Sequence, residues 1–110
     1  MQQNIYLDNN ATTKVDDAVL AEMLPYLSEF YGNPSSMHTF GGQVGKAVRK
    51  ARSQVAALLG AQDTEIIFTS CGSEGDNAAI RAALTAQPNK RHIITTQVEH
   101  PAVLNLCKHL

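Results

Sequence analysis

The chain has 110 residues, a formal net charge of −1, 44% apolar residues and two cysteines, Cys71 and Cys107. This is the size and composition of one small globular domain. Its scattered Lys and Arg lack the basic footprint of a nucleic-acid binder, no apolar run is long enough to span a membrane, and two distant cysteines without C-x-x-C spacing argue against a disulfide scaffold and a zinc knuckle.

Met1 to Asp8 contain neither a basic nor an apolar leader region, so a cytoplasmic location is expected. Asp8 to Thr13 is a loop of small and amide side chains, which either satisfy their own backbone in a turn or line a pocket. From Asp16, the residues Val19, Leu20, Met23, Leu24 and Leu27 repeat at helical spacing, with Pro25 expected to kink or interrupt the helix. A long loop through Gly32-Asn-Pro and Gly41-Gly42 leads to the clearest helix. Its stripe is Val44, Val48, Ala51, Val55, Leu58 and Leu59, and Gly60 stands where a stop signal belongs. Lys46, Arg49, Lys50 and Arg52 fall mostly on its polar side.

Glu65 to Ser70 is an apolar, β-prone run predicted as a strand. It ends in Cys71-Gly72-Ser73-Glu74-Gly75, a small-residue turn opening a helix with Ser73 expected at the N-cap and Asp76 close to a capping box. His92 to Thr96 is predicted as a second strand, and Glu99-His-Pro-Ala102 as the start of a last helix through Val103, Leu104, Leu106 and Cys107. Two strand-to-helix steps predict an α/β fold with a largely parallel sheet. Because a parallel sheet needs more strands than these, the pattern predicts the front portion of a longer polypeptide.

Two places carry chemistry. The Ser70–Gly75 turn is either a well-capped helix start or an anion socket, in which Gly72 permits close backbone approach while Ser73 offers its N–H and hydroxyl to a single phosphate. It has neither the Walker pattern nor the full dinucleotide fingerprint. His100, held on a constrained backbone by Pro101, is expected at the same carboxyl edge of the sheet. His is not a preferred N-cap, which favours a functional role there. His38, His92 and His109 read as loop or surface, and both cysteines as packing, even though a thiol beside a helix N-terminus can be activated.

The runs YLDNNATT (Tyr6–Thr13), GNPSS (Gly32–Ser36) with His38 and Gly41, FTSCGSE (Phe68–Glu74) and EHPAV (Glu99–Val103) together resemble the amino-terminal part of a cysteine desulfurase. The resemblance is closest to the nitrogen-fixation branch of the pyridoxal-phosphate enzymes with the aminotransferase (fold type I) architecture. It implies an N-terminal segment near the active site at 1–15, a helical segment at 16–60, and the start of the large cofactor-binding α/β domain at 61–110. It further implies pyridoxal 5'-phosphate as cofactor, with Gly72 and Ser73 on its phosphate, His100 stacked on its ring and available for proton transfer, and Asn10, Ala11 and Thr12 bordering the substrate pocket. No metal is implied.

The implied activity removes sulfur from L-cysteine, giving L-alanine and an enzyme persulfide. The sulfur would go to an iron-sulfur scaffold protein for iron-sulfur or nitrogenase cluster assembly, and the full-length enzyme would be a homodimer. The family's Schiff-base lysine and persulfide cysteine have no counterpart in these 110 residues, so the segment alone is expected to be inactive. Alternatives are a selenocysteine lyase or class-V aminotransferase, and, in another class, a truncated paralogue acting as a binding scaffold.

Overall fold

The computed structural model describes residues 5–110. Residues 1–4, where the expected N-terminal segment 1–15 begins and which belong to the stretch read for a leader, lie outside the described residues. Four α-helices are present, α1 (Asp17–Ser28), α2 (Thr39–Leu59), α3 (Gly72–Ala86) and α4 (Pro101–His109), with a 3-10 turn at Asp63–Glu65. The chain divides into two compact units at Ile66/Ile67.

In the first unit, α1 starts where Asp16 accepts the Ala18 N–H at 2.8 Å, an Asx-type cap that satisfies one orphan donor. Contrary to expectation, α1 runs through Pro25 without interruption to Ser28. A proline removes only its own donor, and here the Pro25 carbonyl accepts from both Glu29 and Phe30 at 2.8 Å, which closes the end of the helix. The predicted apolar stripe faces outward, with Leu24 52% and Leu27 73% exposed.

Helix α2 ends as its sequence predicts. Gly60 is left-handed at φ 66°, and the Gly60→Ala57 and Ala61→Ala56 backbone bonds form a Schellman closure. What α2 buries differs from the expected Val/Leu stripe: Gly41, Gly45 and Ala56 are the buried positions, whereas Leu58 and Leu59 are exposed. The reason is close backbone approach. The loop Asn33–Ser36 lies directly on the helix, so a Cβ on Gly41 would collide with the Asn33 carbonyl and stand 2.8 Å from Ser36 Cβ, and one on Gly45 would stand 2.9 Å from the Pro34 oxygen. Tyr31 packs edge-on against Phe40 at 5.1 Å over the same joint. At the far end of α2, Arg52 donates to the Ile66 carbonyl and Ser53 to Asp63, which ties the 3-10 turn back to the helix.

Gly41→Ala is therefore expected to destabilise the full-length protein by about 2 kcal/mol through overpacking. The neighbouring Gly42→Ala, whose Cβ meets nothing within 4 Å, is expected to be neutral or slightly stabilising. Urea midpoints of the two variants check the contrast; equal midpoints would remove the close-approach explanation.

The second unit consists of α3 and α4 packed on each other, with Leu106 5% exposed at the contact. The two predicted strands are not formed among the described residues. Residues 63–65 are a 3-10 turn, Ile66 is extended, and neither 66–69 nor 92–96 makes ladder hydrogen bonds. An extended segment becomes a strand only by lateral pairing, and these two have no neighbour to pair with. Their apolar side chains stand open accordingly, with Ile67 82% and Ile94 90% exposed. Among the described residues no helix is long and apolar enough to cross a membrane.

Candidate functional site

The turn before α3 is built by a carboxylate reaching backward. Glu74, in the first turn of the helix, accepts from both the backbone N–H (2.6 Å) and the hydroxyl (2.7 Å) of Ser70. The Ser70 hydroxyl first, and its N–H second, hold the Glu74 carboxyl below the usual carboxylate range. This geometry corrects the expected cap. Cys71, extended at φ −164°, is the N-cap, α3 begins at Gly72, and the reciprocal contact is made by Glu74 rather than Asp76. Ser73 is thus inside the first turn, where its own N–H has no carbonyl partner within the helix.

The Cys71 thiol is exposed rather than packed. The Glu74 N–H most of all, then the Ser70 hydroxyl, draw its pKa below the ordinary thiol value; the Ser73 N–H adds to this and the Glu74 carboxylate opposes it. Sulfur is a weak acceptor, so these donors are only lightly committed and a phosphate oxygen can displace it. The Gly72 N–H and the Ser73 hydroxyl make no hydrogen bond among the described residues.

Gly72 is notable for what does not require it. Among the described residues only Gly60 has a positive φ, and a Cβ on Gly72 would meet nothing within 4 Å. Neither backbone conformation nor packing explains a glycine here. An open cradle at the positive end of a 15-residue helix, lined by the Gly72 N–H and by N–H groups held only by the Cys71 sulfur, has the geometry of an anion site.

His100 is the N-cap of α4, with Nδ1 accepting from the Ala102 N–H at 3.2 Å and Pro101 at the first helical position. His100 thus has a structural role although His is not a preferred N-cap: an imidazole nitrogen substitutes for the usual Asp or Ser oxygen. With Nδ1 as acceptor, the neutral ring carries its proton on Nε2. His38 behaves in the same way at α2, where Nδ1 accepts from the Gly41 N–H at 3.1 Å: it is an exposed loop residue, as expected, and also the helix cap.

Asn77 is the residue that sequence reasoning passed over. Its Nδ2 donates to the Ser73 carbonyl at 2.8 Å and to the Ala102 carbonyl at 3.2 Å, joining the first turns of α3 and α4. The structure thus brings the Gly72/Ser73 turn and His100 to the same end of one helix pair. Asn10, Ala11 and Thr12 belong to the other unit and form an exposed turn, in which Ala11 and Thr12 donate to the Asp8 carbonyl at 3.1 and 3.4 Å. An open groove lined by Leu84, Arg91, Ile93, Cys107 and Leu110 lies at the opposite, C-terminal end of the helix pair. No group of His, Cys, Asp and Glu among the described residues could hold a metal.

The family pattern "Aminotransferase class-V" matches residues 5–110. The chain is 79% identical over 106 residues to a "Cysteine desulfurase" of Trichormus azollae, covering 96% of this chain and 26% of that protein. It is 60% identical over 108 residues to "Cysteine desulfurase NifS" of Azotobacter vinelandii, covering 97% of this chain and 27% of that one. A solved structure named "NIFS-LIKE PROTEIN" superposes with a TM-score of 0.86 at 45% identity, over 97% of this chain and 30% of that chain. The chain therefore spans about a quarter of the length of these curated relatives. Its architecture is the front part of the aminotransferase-type, fold type I, α/β fold. With the family pattern matched along every described residue, the chain belongs to the class-V aminotransferase family.

Proposed function

We propose that this chain is the cofactor-phosphate end of a cysteine desulfurase that uses pyridoxal 5'-phosphate to take sulfur from L-cysteine. The observation that carries the reading is the open first turn of α3, where a glycine that neither backbone conformation nor packing requires among the described residues stands beside the unpartnered Gly72 N–H, two N–H groups held by the Cys71 sulfur, and the Ser73 hydroxyl. These residues fit the cofactor's phosphate. A single dianion matches two or three backbone donors, the Ser73 hydroxyl and the helix dipole, and the nearest carboxylate, Glu74, is turned back onto Ser70.

When bound, pyridoxal phosphate supplies the electron sink for chemistry at the substrate's α-carbon. The chain's own tasks are binding, orientation and proton handling. Gly72 lets the backbone approach the phosphate, Ser73 binds its oxygens, and His100 offers a ring face to the cofactor and a proton at Nε2 while Nδ1 stays tied to Ala102. Asn10, Ala11 and Thr12 border the substrate pocket, residues 1–15 form its N-terminal edge, 16–60 a helical segment, and 61–110 open the cofactor domain. The products are L-alanine and an enzyme persulfide, whose sulfur passes to an iron-sulfur scaffold protein for iron-sulfur or nitrogenase cluster assembly. The working protein is a cytoplasmic homodimer.

The purified full-length protein, supplied with pyridoxal phosphate, L-cysteine and a reducing thiol, is expected to release L-alanine and sulfide in equal amounts. Keto-acid formation without sulfide would establish an aminotransferase, and turnover of selenocysteine alone would establish a selenocysteine lyase. Either outcome rejects the desulfurase reading.

A further inference from the structure

Among the described residues, Asn77 makes the one side-chain hydrogen bond between the two helices of the second unit. Its Nδ2 hydrogens go to two carbonyl oxygens, those of Ser73 and Ala102, and the bond to Ala102 is partly buried. Each acceptor belongs to a residue beside or within the candidate site. Ser73 is the phosphate-binding position itself. Ala102 is engaged at both ends, because its carbonyl accepts from Asn77 and its N–H donates to Nδ1 of His100. Two hydrogen bonds of the Asn77 amide therefore link the Ser73 carbonyl to the Ala102 carbonyl, and Ala102, through the N–H on the other side of its Cα, donates to the imidazole.

We propose that Asn77 is a positioning residue, whose amide sets the first turn of α3 against the first turn of α4 and thereby places the Ser73 donors and the His100 ring in register for one ligand. Its role toward pyridoxal phosphate rests on the cofactor reading given above. A primary amide suits the task because it presents two donors in a fixed plane, so the two carbonyls are held at once by one nitrogen. The first bond, to the carbonyl four residues back, fixes the side chain along α3. That leaves the second hydrogen aimed at α4, and little rotamer freedom remains to be lost when the pair closes. Asn lowers helix propensity relative to Ala, so the position is not occupied for the sake of the helix.

The test uses Asn77→Asp and Asn77→Ala in the full-length protein. Aspartate keeps the side-chain shape and is tolerated near a helix N-terminus, yet it has no hydrogen to donate. Two quantities are read: the affinity of the apoprotein for pyridoxal phosphate, and the imidazole 15N shifts of His100 in alkaline buffer. The wild type is expected to show Nδ1 as the unprotonated acceptor. Both variants are expected to lose that asymmetry toward a tautomer mixture and to bind pyridoxal phosphate about tenfold more weakly. Wild-type shifts and wild-type affinity in a folded Asn77→Asp protein would overturn the proposal, whatever happens to its melting temperature. If pyridoxal phosphate fails to bind even the wild type, the cofactor reading falls, and the His100 shifts still decide whether Asn77 orients the ring.

Discussion

A Gly72→Asp variant of the full-length protein is expected to fold and melt like the wild type but to retain pyridoxal phosphate at least a hundredfold less well. The first half of this expectation follows from the structure. A Cβ at this position meets nothing within 4 Å, the backbone does not have a positive φ, and a carboxylate in the first turn of a helix is favoured by the macrodipole. The second half follows from Coulomb's law. A new negative charge about 5 Å from a phosphate dianion, at an effective dielectric near 20, opposes binding by several kcal/mol, of which about 3 kcal/mol already amounts to more than a hundredfold. Equilibrium dialysis of apoprotein against pyridoxal phosphate, with a melting curve on the same sample, gives both halves. Unchanged affinity would mean that the phosphate does not sit at the start of α3; loss of folding would mean that Gly72 is a structural glycine after all.

His100→Asn separates the capping role that the structure gives this ring from the role toward the cofactor proposed for it. Asparagine is a better N-cap than histidine, so α4 keeps its cap and stability should change by no more than about 0.5 kcal/mol. The variant nevertheless lacks an aromatic face and an Nε2 proton. Alanine formation from L-cysteine is expected to fall about a hundredfold, at the lower end of what a positioned acid or base contributes. An Asn variant with wild-type turnover would reduce His100 to the capping bond between Nδ1 and the Ala102 N–H. Losing activity only in step with lost melting temperature would lead to the same conclusion.

Helix ends in this chain were legible because the interactions that make them span only a few residues. Asp16 before α1, Gly60 after α2 and Pro101 opening α4 all act on their own turn. The four motifs also located Gly72, Ser73 and His100 as candidates. The cap of α3 was misread at Ser73, because the sequence contains two acidic residues able to reach back and does not say which will. The fold chose Glu74, whose reach to Ser70 moved the helix start to Gly72.

What only the tertiary structure decided depends on contacts distant in sequence. The Asn77 bond to Ala102 crosses 25 positions, and no local pattern distinguishes this asparagine from a solvated one. Gly41 and Gly45 look like ordinary loop and helix glycines until the Asn33–Ser36 loop is laid upon them. The predicted strands show the same limit from the other side. Their β-prone residues are plain in the sequence, yet a strand exists only when a neighbour accepts its hydrogen bonds, and among the described residues none does. The sequence by itself thus determined the family, the ends marked by Asp16, Gly60 and Pro101, and the turn residues Gly72 and Ser73, with His100, as candidates for a phosphate site. The three-dimensional arrangement decided which donor holds that turn to His100, because that choice depends on two helix ends meeting across space.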